Sequence, residues 1–314
     1  MLVEGKWMSA WHPVQAKDEK GGFVRQVSSF RSWVTKDGRP GPTGQGGFRA
    51  ERGRYVLYAA LICPWASRVL AARKLKRLED VIDVILVEPE LTAEGWRFAD
   101  GADVVNGAEY MHQIYTAAEE RYTGRATVPV LWDRVTKTIV NNESSDLIRM
   151  LNSAFEDVAS GPGPDLAPAA LLAEIDALGA EMYPRLNNGV YRAGFATTQV
   201  AYDEAVADVF GMLDALEARL EGKRFLVGDV LTEADIRAFV TLVRFDAAYH
   251  GLFKCKLRRI VDYPNLSSYL RRLVAIPELG STVDLDQIKR GYYSIRALNP
   301  SGIVPKGPLS PFGA

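Results

Sequence analysis

RYVLYAALICPWASRVLAARKLKRLEDVIDVILVEP, residues 54–89, changes its hydrophobic period twice. Residues 54–60 are β-rich and apolar and read as a strand. From Trp65 to Lys76 the apolar positions Trp65, Val69, Leu70 and Leu75 mix with arginines and lysines, as on an amphipathic helix. Residues 81–89, VIDVILVEP, read as a buried strand. Strand, helix, strand is the βαβ pattern of a parallel pair.

Downstream, an aromatic-bearing insertion spans 90–125. TVPVLWD (127–133) and KTIVNN (137–142) follow as an antiparallel hairpin, and ESSDLIRML (143–151) starts a helix. The order β-α-β-loop-β-β-α is that of a thioredoxin-like domain. Upstream, residues 1–47 read as an irregular extension, with Trp7, Trp11, Phe23, Phe30 and Trp33 scattered without period. It ends in GRPGPTGQGG, which no strand precedes and no Lys-Ser/Thr closes, so a flexible surface loop is expected there and not a phosphate loop. SGPGPDLAP (160–168) reads as a hinge. Beyond it the pattern is helical: 170–182, then 198–220, then a helix opened by Thr232 with Asp235 three residues on, then 265–275 behind Pro264. The Pro/Gly-rich end reads as a tail and not a packed element. These readings give an α/β thioredoxin-like N-terminal domain plus an all-α C-terminal domain. The expected bounds are 1–47 extension, 48–155 first domain, 156–285 helical domain and 286–314 tail.

Composition excludes several classes. The 314 residues are 47% hydrophobic and 25% charged, with a formal net charge of -1, as in an ordinary globular protein. That charge supplies no field to draw nucleic acid or an anionic membrane. No apolar run approaches the ~18 residues of a membrane span, and the first residues lack a secretory leader, so a cytoplasmic protein is expected. Two cysteines, Cys63 and Cys255, exclude a disulfide-stapled fold. With only His12, His112 and His250 to add, no zinc site is expected.

Cys63-Pro64-Trp65-Ala66 lies where strand gives way to helix. The first N–H groups of a helix are unpaired and its dipole is positive there, so a thiolate is favoured. Pro64 needs no N–H in a first turn, and Arg68 adds positive charge. Ala66 stands where a dithiol oxidoreductase carries its second cysteine, so a mixed disulfide on Cys63 would need a thiol from outside to release it. The alternative is an inert, buried cysteine at a strand–helix junction. Cys255 lies among Lys254, Lys256, Arg258 and Arg259, at no helix start, and reads as structural. Pro129 in TVPV is out of place in a central strand. A cis Val128–Pro129 bond at the strand start would resolve this and leave the Val128 backbone free for an extended peptide; a trans proline at a strand start is the alternative. Glu143 and Ser144 open the next helix, where N–H groups suit a carboxylate ligand, or where the two residues simply cap. Together these signals outline a cradle for a γ-glutamyl tripeptide.

GGFVRQVSSFRSWV (21–34), RYVLYAALICPWASR, TVPVLWD, NNGVYRAGFATTQ (187–199), RFDAAYHGLFKC (244–255), DYPNLSSYLR (262–271) and LNPSGIVPKGP (298–308) stand in this order along the chain. In these segments the sequence resembles the glutathionyl-hydroquinone reductases, the Xi-class members of the glutathione transferase superfamily. The resemblance implies a homodimer that uses glutathione as co-substrate and holds no metal. It implies Cys63 as nucleophile, and glutathione held by Trp96, Arg125, Val128, Glu143 and Ser144. It implies an aromatic pocket lined by Tyr191 and by one of Tyr292 and Tyr293, with part of the C-terminal tail contributing. Apart from the resemblance, Trp96 and these tyrosines would read as packing residues. Many members carry a histidine-rich stretch around the tail tyrosines, where this chain has DQIKRGYYSIR.

The activity implied is glutathione-dependent reduction of glutathionyl-hydroquinones through a Cys63–glutathione mixed disulfide. The ring leaves as a carbanion equivalent and must be protonated at carbon, which a tyrosine or a keto tautomer of the ring makes feasible. An omega-like thiol transferase or dehydroascorbate reductase would use the same Cys63; the extended N-terminal segment and the tail tyrosines argue against it. A non-enzymatic glutathione-binding protein would have no need of a cysteine at the helix start.

Overall fold

The computed structural model describes residues 1–9, 16–309 and 312; Trp11, His12 and the last residues of the tail lie outside the described residues. Two compact units result: residues 1–9 and 26–164 form one, residues 16–25 and 165–309 with 312 the other. The chain passes from the first to the second between Pro164 and Asp165.

The first unit is built on the sheet that the opening stretch anticipates. β1 (Leu2–Val3) and β2 (Lys6–Trp7) form a small antiparallel pair, and β3 (Trp33–Thr35) lies parallel to β4 (Gly47–Arg49). The main sheet has β5 (Tyr55–Ala59), β6 (Asp83–Leu86), β7 (Val130–Asp133) and β8 (Thr138–Asn141) in the order β6-β5-β7-β8. β5 runs parallel to β6 and antiparallel to β7, which is antiparallel to β8. All of β5 and β7 is buried. A strand covered on both faces reads as a continuous apolar run, as β5 does. The helices are α1 (Pro64–Leu75), α2 (Met111–Ala118), inside the insertion, and α3 (Ser144–Ser153). α1 is less amphipathic than its sequence suggests, because Arg68 and Arg73 are buried with the apolar residues. Arg73 is satisfied by the carbonyls of Ile82 and Glu79, each at 2.6 Å. The glycine-rich 38–47 stretch is an exposed surface loop between β3 and β4, close to its surroundings at Gly41 and Gly47. A Cβ at Gly41 would fall 2.3 Å from Trp33, and one at Gly47 would fall 2.2 Å from the Arg39 carbonyl.

The second unit is helical: α4 (Leu172–Met182), α5 (Gly189–Phe195), α6 (Gln199–Arg219), α7 (Glu233–Arg244), α8 (Pro264–Val274), α9 (Pro277–Gly280) and α10 (Leu285–Tyr293). Wide π turns, Tyr183–Asn187 and Phe245–Tyr249, continue α4 and α7. The tail expectation is corrected by α10: the Asp284 side chain caps its start and Ile288, Gly291 and Tyr292 bury one face. Asp235 fastens the start of α7 from within. Fully buried, it accepts the N–H groups of Leu226 and Thr232 at 2.9 Å and the Tyr269 hydroxyl at 2.7 Å. Among the described residues, no helix is long and apolar enough to cross a membrane, and no group of His, Cys, Asp and Glu side chains is placed to hold a metal ion.

Asp235→Ala strands those donors in the core, each at about 1–3 kcal/mol. A loss of about 3 kcal/mol or more is expected in urea denaturation, and a smaller one for Asp235→Asn, which keeps an acceptor. A loss below about 1 kcal/mol would show that the carboxylate does not tie these segments together.

Candidate active site

Cys63 is the N-cap of α1, extended at φ -77 and ψ 117, with Pro64 in the first turn. It is half-buried and free of disulfide. Its Sγ donates to the Val128 carbonyl at 3.4 Å and does not cap the helix N–H groups. The Val128–Pro129 bond is cis, as the sequence reading expects. Arg68 is buried, its guanidinium carbon 4.4 Å from the centroid of the Trp65 ring.

Glu143 caps α3. Its carboxylate accepts the Ser145 N–H at 3.1 Å and the Ser145 hydroxyl at 2.9 Å, and its other oxygen accepts the Ser28 hydroxyl at 3.0 Å. One side chain thus caps α3 and also holds the Ser28 hydroxyl. Ser144, buried, is the first residue of α3. The approach to α3 is braced by Asn141, whose side chain accepts the Glu143 N–H at 2.7 Å and donates to Asp146 at 3.1 Å. Arg31 reaches Asp146 at 2.9 Å from the segment before β3.

Trp96 is half-buried on a loop tied at both ends. Its carbonyl accepts the Met111 N–H at 2.9 Å, and the Trp7 indole donates to Ala93 at 2.9 Å. Gly95 has a φ of +85, and a Cβ there would lie 3.0 Å from the Trp7 ring. The Arg125 N–H donates to the Gln26 side chain at 3.1 Å. Burial, and then the charge of Arg125, pushes the N-terminal amine of Met1 down.

In the second unit the structure separates the tail tyrosines. The hydroxyls of Tyr191 and Tyr292 are 2.6 Å apart, and that of Tyr292 is 2.8 Å from Tyr249. Tyr293 instead points its hydroxyl at Gly251, 2.7 Å from where a Cβ there would stand. Tyr249 is a member of the chain that the sequence reading missed. Burial pushes Tyr249 and Tyr292 well above the ordinary phenol value, with the neighbouring Tyr191 adding to the effect, so both stay protonated at neutral pH. Phe253 stacks on Tyr249 at 5.2 Å and meets Tyr191 edge-on at 5.3 Å. Phe195 stacks on Tyr191 at 6.3 Å. The result is a line of phenol donors in an apolar wall, with half-buried Tyr191 at its more open end.

Cys255 is fully buried, and burial pushes its thiol up to about 12. Iodoacetamide should therefore label Cys63 in the native protein and reach Cys255 only after unfolding, as peptide mapping would show. Unfolded, the Cys255 thiol ionises near ~8.5. Its contribution to stability is thus complete below that pH and is lost as the pH climbs toward about 12. Between pH 8 and 10 the denaturant midpoint of wild type should fall further than that of Cys255→Ala; equal slopes would contradict the buried thiol.

A model of the glutathione S-transferase N-terminal domain matches residues 62–154, and one of the C-terminal domain matches 199–272. The chain is 52% identical to glutathionyl-hydroquinone reductase PcpF of Sphingobium chlorophenolicum over 99% of its length and 97% of that protein. It is 48% identical to glutathionyl-hydroquinone reductase YqjG of Escherichia coli (strain K12) over 98% of its length and 94% of that protein. The glutathione-bound structure of YqjG superposes with a TM-score of 0.89 at 46% identity, covering 99% of this chain and 96% of that one. The Xi transferase of Phanerochaete chrysosporium gives 0.88 at 45% identity, covering 94% and 95%.

Proposed function

The chain belongs to the glutathione transferase superfamily, with its glutathionyl-hydroquinone reductases and Xi-class transferases, and from that premise we propose that it reduces glutathionyl-hydroquinones to hydroquinones with glutathione as reductant. The observation that carries the reading is Cys63, a lone thiol at the N-cap of α1 beside the Val128 carbonyl, with Ala66 where a resolving cysteine would stand.

The Cys63 thiolate attacks the thioether sulfur of the substrate. A sulfur–sulfur bond forms, the sulfur–carbon bond breaks, and the electron pair remains on the ring carbon. That carbon takes the proton of Tyr191, and free hydroquinone leaves. The thiolate of a second glutathione then attacks the mixed disulfide and releases oxidised glutathione. The proton from its thiol replaces the one given to the ring, and Cys63 returns as thiolate. The sulfurs are oxidised to a disulfide and the ring carbon is reduced. Trp96, Arg125, Val128, Glu143 and Ser144 hold the tripeptide, with the extended backbone of Val128 facing its cysteinyl residue and the start of α3 its γ-glutamyl end. Tyr292 supports Tyr191 through their shared hydrogen bond. Tyr293 is a packing residue. The same reading gives a cytoplasmic homodimer, whose mass light scattering would return as twice that of the chain.

Cys63→Ala should abolish turnover. Tyr191→Phe and Tyr292→Phe should slow glutathionyl-hydroquinone reduction by ~10²–10⁴, the range of acid catalysis. They should slow reduction of a simple glutathione mixed disulfide far less, because a thiolate leaves unaided. Tyr293→Phe should change little. Wild-type enzyme is assayed alongside on hydroxyethyl disulfide and dehydroascorbate. Activity on those two with none on the glutathionyl-hydroquinone would replace this reading with the omega-like one.

A further inference from the structure

Residues 16–25 are the part of the N-terminal extension that packs within the helical unit. The segment is a small closed loop: the Val24 N–H donates to Ala16 at 2.8 Å and the Asp18 N–H to Gly22 at 2.9 Å. It is fastened at the start of α6, where the Thr198 hydroxyl donates to the Lys20 carbonyl at 2.6 Å and the Thr197 N–H to Gly21 at 3.0 Å. Gly21 has a φ of +82, and a Cβ there would meet the Thr197 hydroxyl at 2.6 Å, so the chain can approach only as glycine. These ties fix the point from which Arg25 departs.

Arg25 is held at its head as well. Its Nε donates at 2.7 Å to the side chain of Asn188, the residue that caps α5. Its guanidinium carbon stands 4.7 Å from the centroid of the Tyr191 ring and 5.4 Å from that of Phe23. Tyr191, on α5, is the phenol that begins the chain to Tyr292 and Tyr249. A cation thus lies on the ring whose hydroxyl the proposed function uses as acid.

We propose that Arg25 is a positioning residue for proton donation by Tyr191, holding its ring and stabilising the phenolate left when the proton goes to carbon. This rests on the reading of Tyr191 as the acid of the first half-reaction. The Tyr191 O–H bond breaks, a carbon–hydrogen bond forms, and the negative charge moves from the ring carbon to the phenol oxygen. Two groups then meet that charge: the Tyr292 hydroxyl as donor, and the guanidinium over the ring. A nearby cation favours the anionic form of an acid. Lysine does not do the same work: its ammonium is a single point donor, whereas the guanidinium puts Nε on Asn188 and its carbon 4.7 Å from the ring centroid at the same time. Phenolate stabilisation is absent from the second half-reaction, in which one sulfur replaces another.

Single-turnover rates separate the two halves: hydroquinone release from glutathionyl-hydroquinone by reduced enzyme, and attack of glutathione on preformed Cys63–glutathione disulfide. Arg25→Gln should slow the first by roughly 3- to 30-fold, the range of a cation–π contact from exposed to desolvated. The second should move far less. Arg25→Lys, which keeps the charge and disturbs the fold least, should remain slower than wild type in the first half alone. In a Tyr191→Phe background Arg25→Gln should cost nothing further, because no phenolate forms there. A full additional loss in that background, equal losses in both halves, or no loss in either overturns the role of Arg25. If Tyr191→Phe is slow in the first half and neither Arg25 variant is, Arg25 falls and the acid role of Tyr191 stands. If wild type releases no hydroquinone while reducing the mixed disulfide, the functional reading falls and the Arg25 proposal with it.

Discussion

The register between β5 and β7 sets the geometry of the thiol. Tyr58 lies opposite Val130, so the chain leaving β5 and the chain entering β7 meet at one end of the sheet. Cys63 comes a few residues after Tyr58 and Val128 just before Val130, which puts Sγ within 3.4 Å of the Val128 carbonyl. A slip of one residue would turn every side chain of the strand to the opposite face. β5 and β7 are buried throughout, so such a slip would disrupt packing on both faces. The core thereby specifies the position of the Cys63 sulfur, which is not itself part of the core. The sulfur gains a weak acceptor in the carbonyl, while α1 presents its first N–H groups beside it.

The phenol chain follows a different constraint. A buried hydroxyl must find a partner, and Tyr292 finds two, at 2.6 and 2.8 Å. Burial keeps Tyr249 and Tyr292 neutral. Two neutral phenols in series can stabilise an anion that forms next to them without carrying charge beforehand. The wide π turn Phe245–Tyr249 ends at Tyr249, and Tyr183–Asn187 immediately precedes the cap of α5. Turns of this kind occur often at functional sites. Here they alter the helical phase just where two of the three phenols are placed.

The opening stretch was legible because burial imposes period. A two-face-buried strand reads as an apolar run, and a proline in a strand-like segment asks for an explanation that the cis bond supplies. The tail was misread because the Pro/Gly content after Tyr293 outweighed a local helical pattern. Ile288 and Tyr292 are four residues apart and so share a face, which also separates Tyr292 from Tyr293. That signal was present in the sequence. No such signal existed for Tyr249, Ser28 or Arg25. Each meets a residue distant in sequence: Tyr292, Glu143 and Tyr191 respectively. Such pairings are decided by tertiary packing, which no window of sequence contains. Glu143 shows a related limit, since capping and ligand holding use the same residue type at the same place, and only its bond to Ser28 reveals how it is oriented.

The two chemistries differ in what the departing group can bear. In thiol–disulfide exchange the leaving thiolate is stable near neutral pH, with an ordinary pKa of ~8.5, and a well-placed nucleophile is sufficient. Expelling an aromatic carbon leaves an electron pair on an atom far more basic than sulfur, so a proton must reach that carbon, either as the bond breaks or beforehand in a keto tautomer of the ring. A proton donor therefore serves the one reaction and is idle in the other. Catalysis counts only interactions that strengthen in the transition state. A neutral phenol meets that condition: it is silent toward bound substrate and strengthens as charge reaches it, the more so when a second phenol donates to it. A monothiol at a helix start is enough for thiol transfer. Release of an aromatic carbon asks in addition for a proton donor, and a phenol is chemically suited to that part.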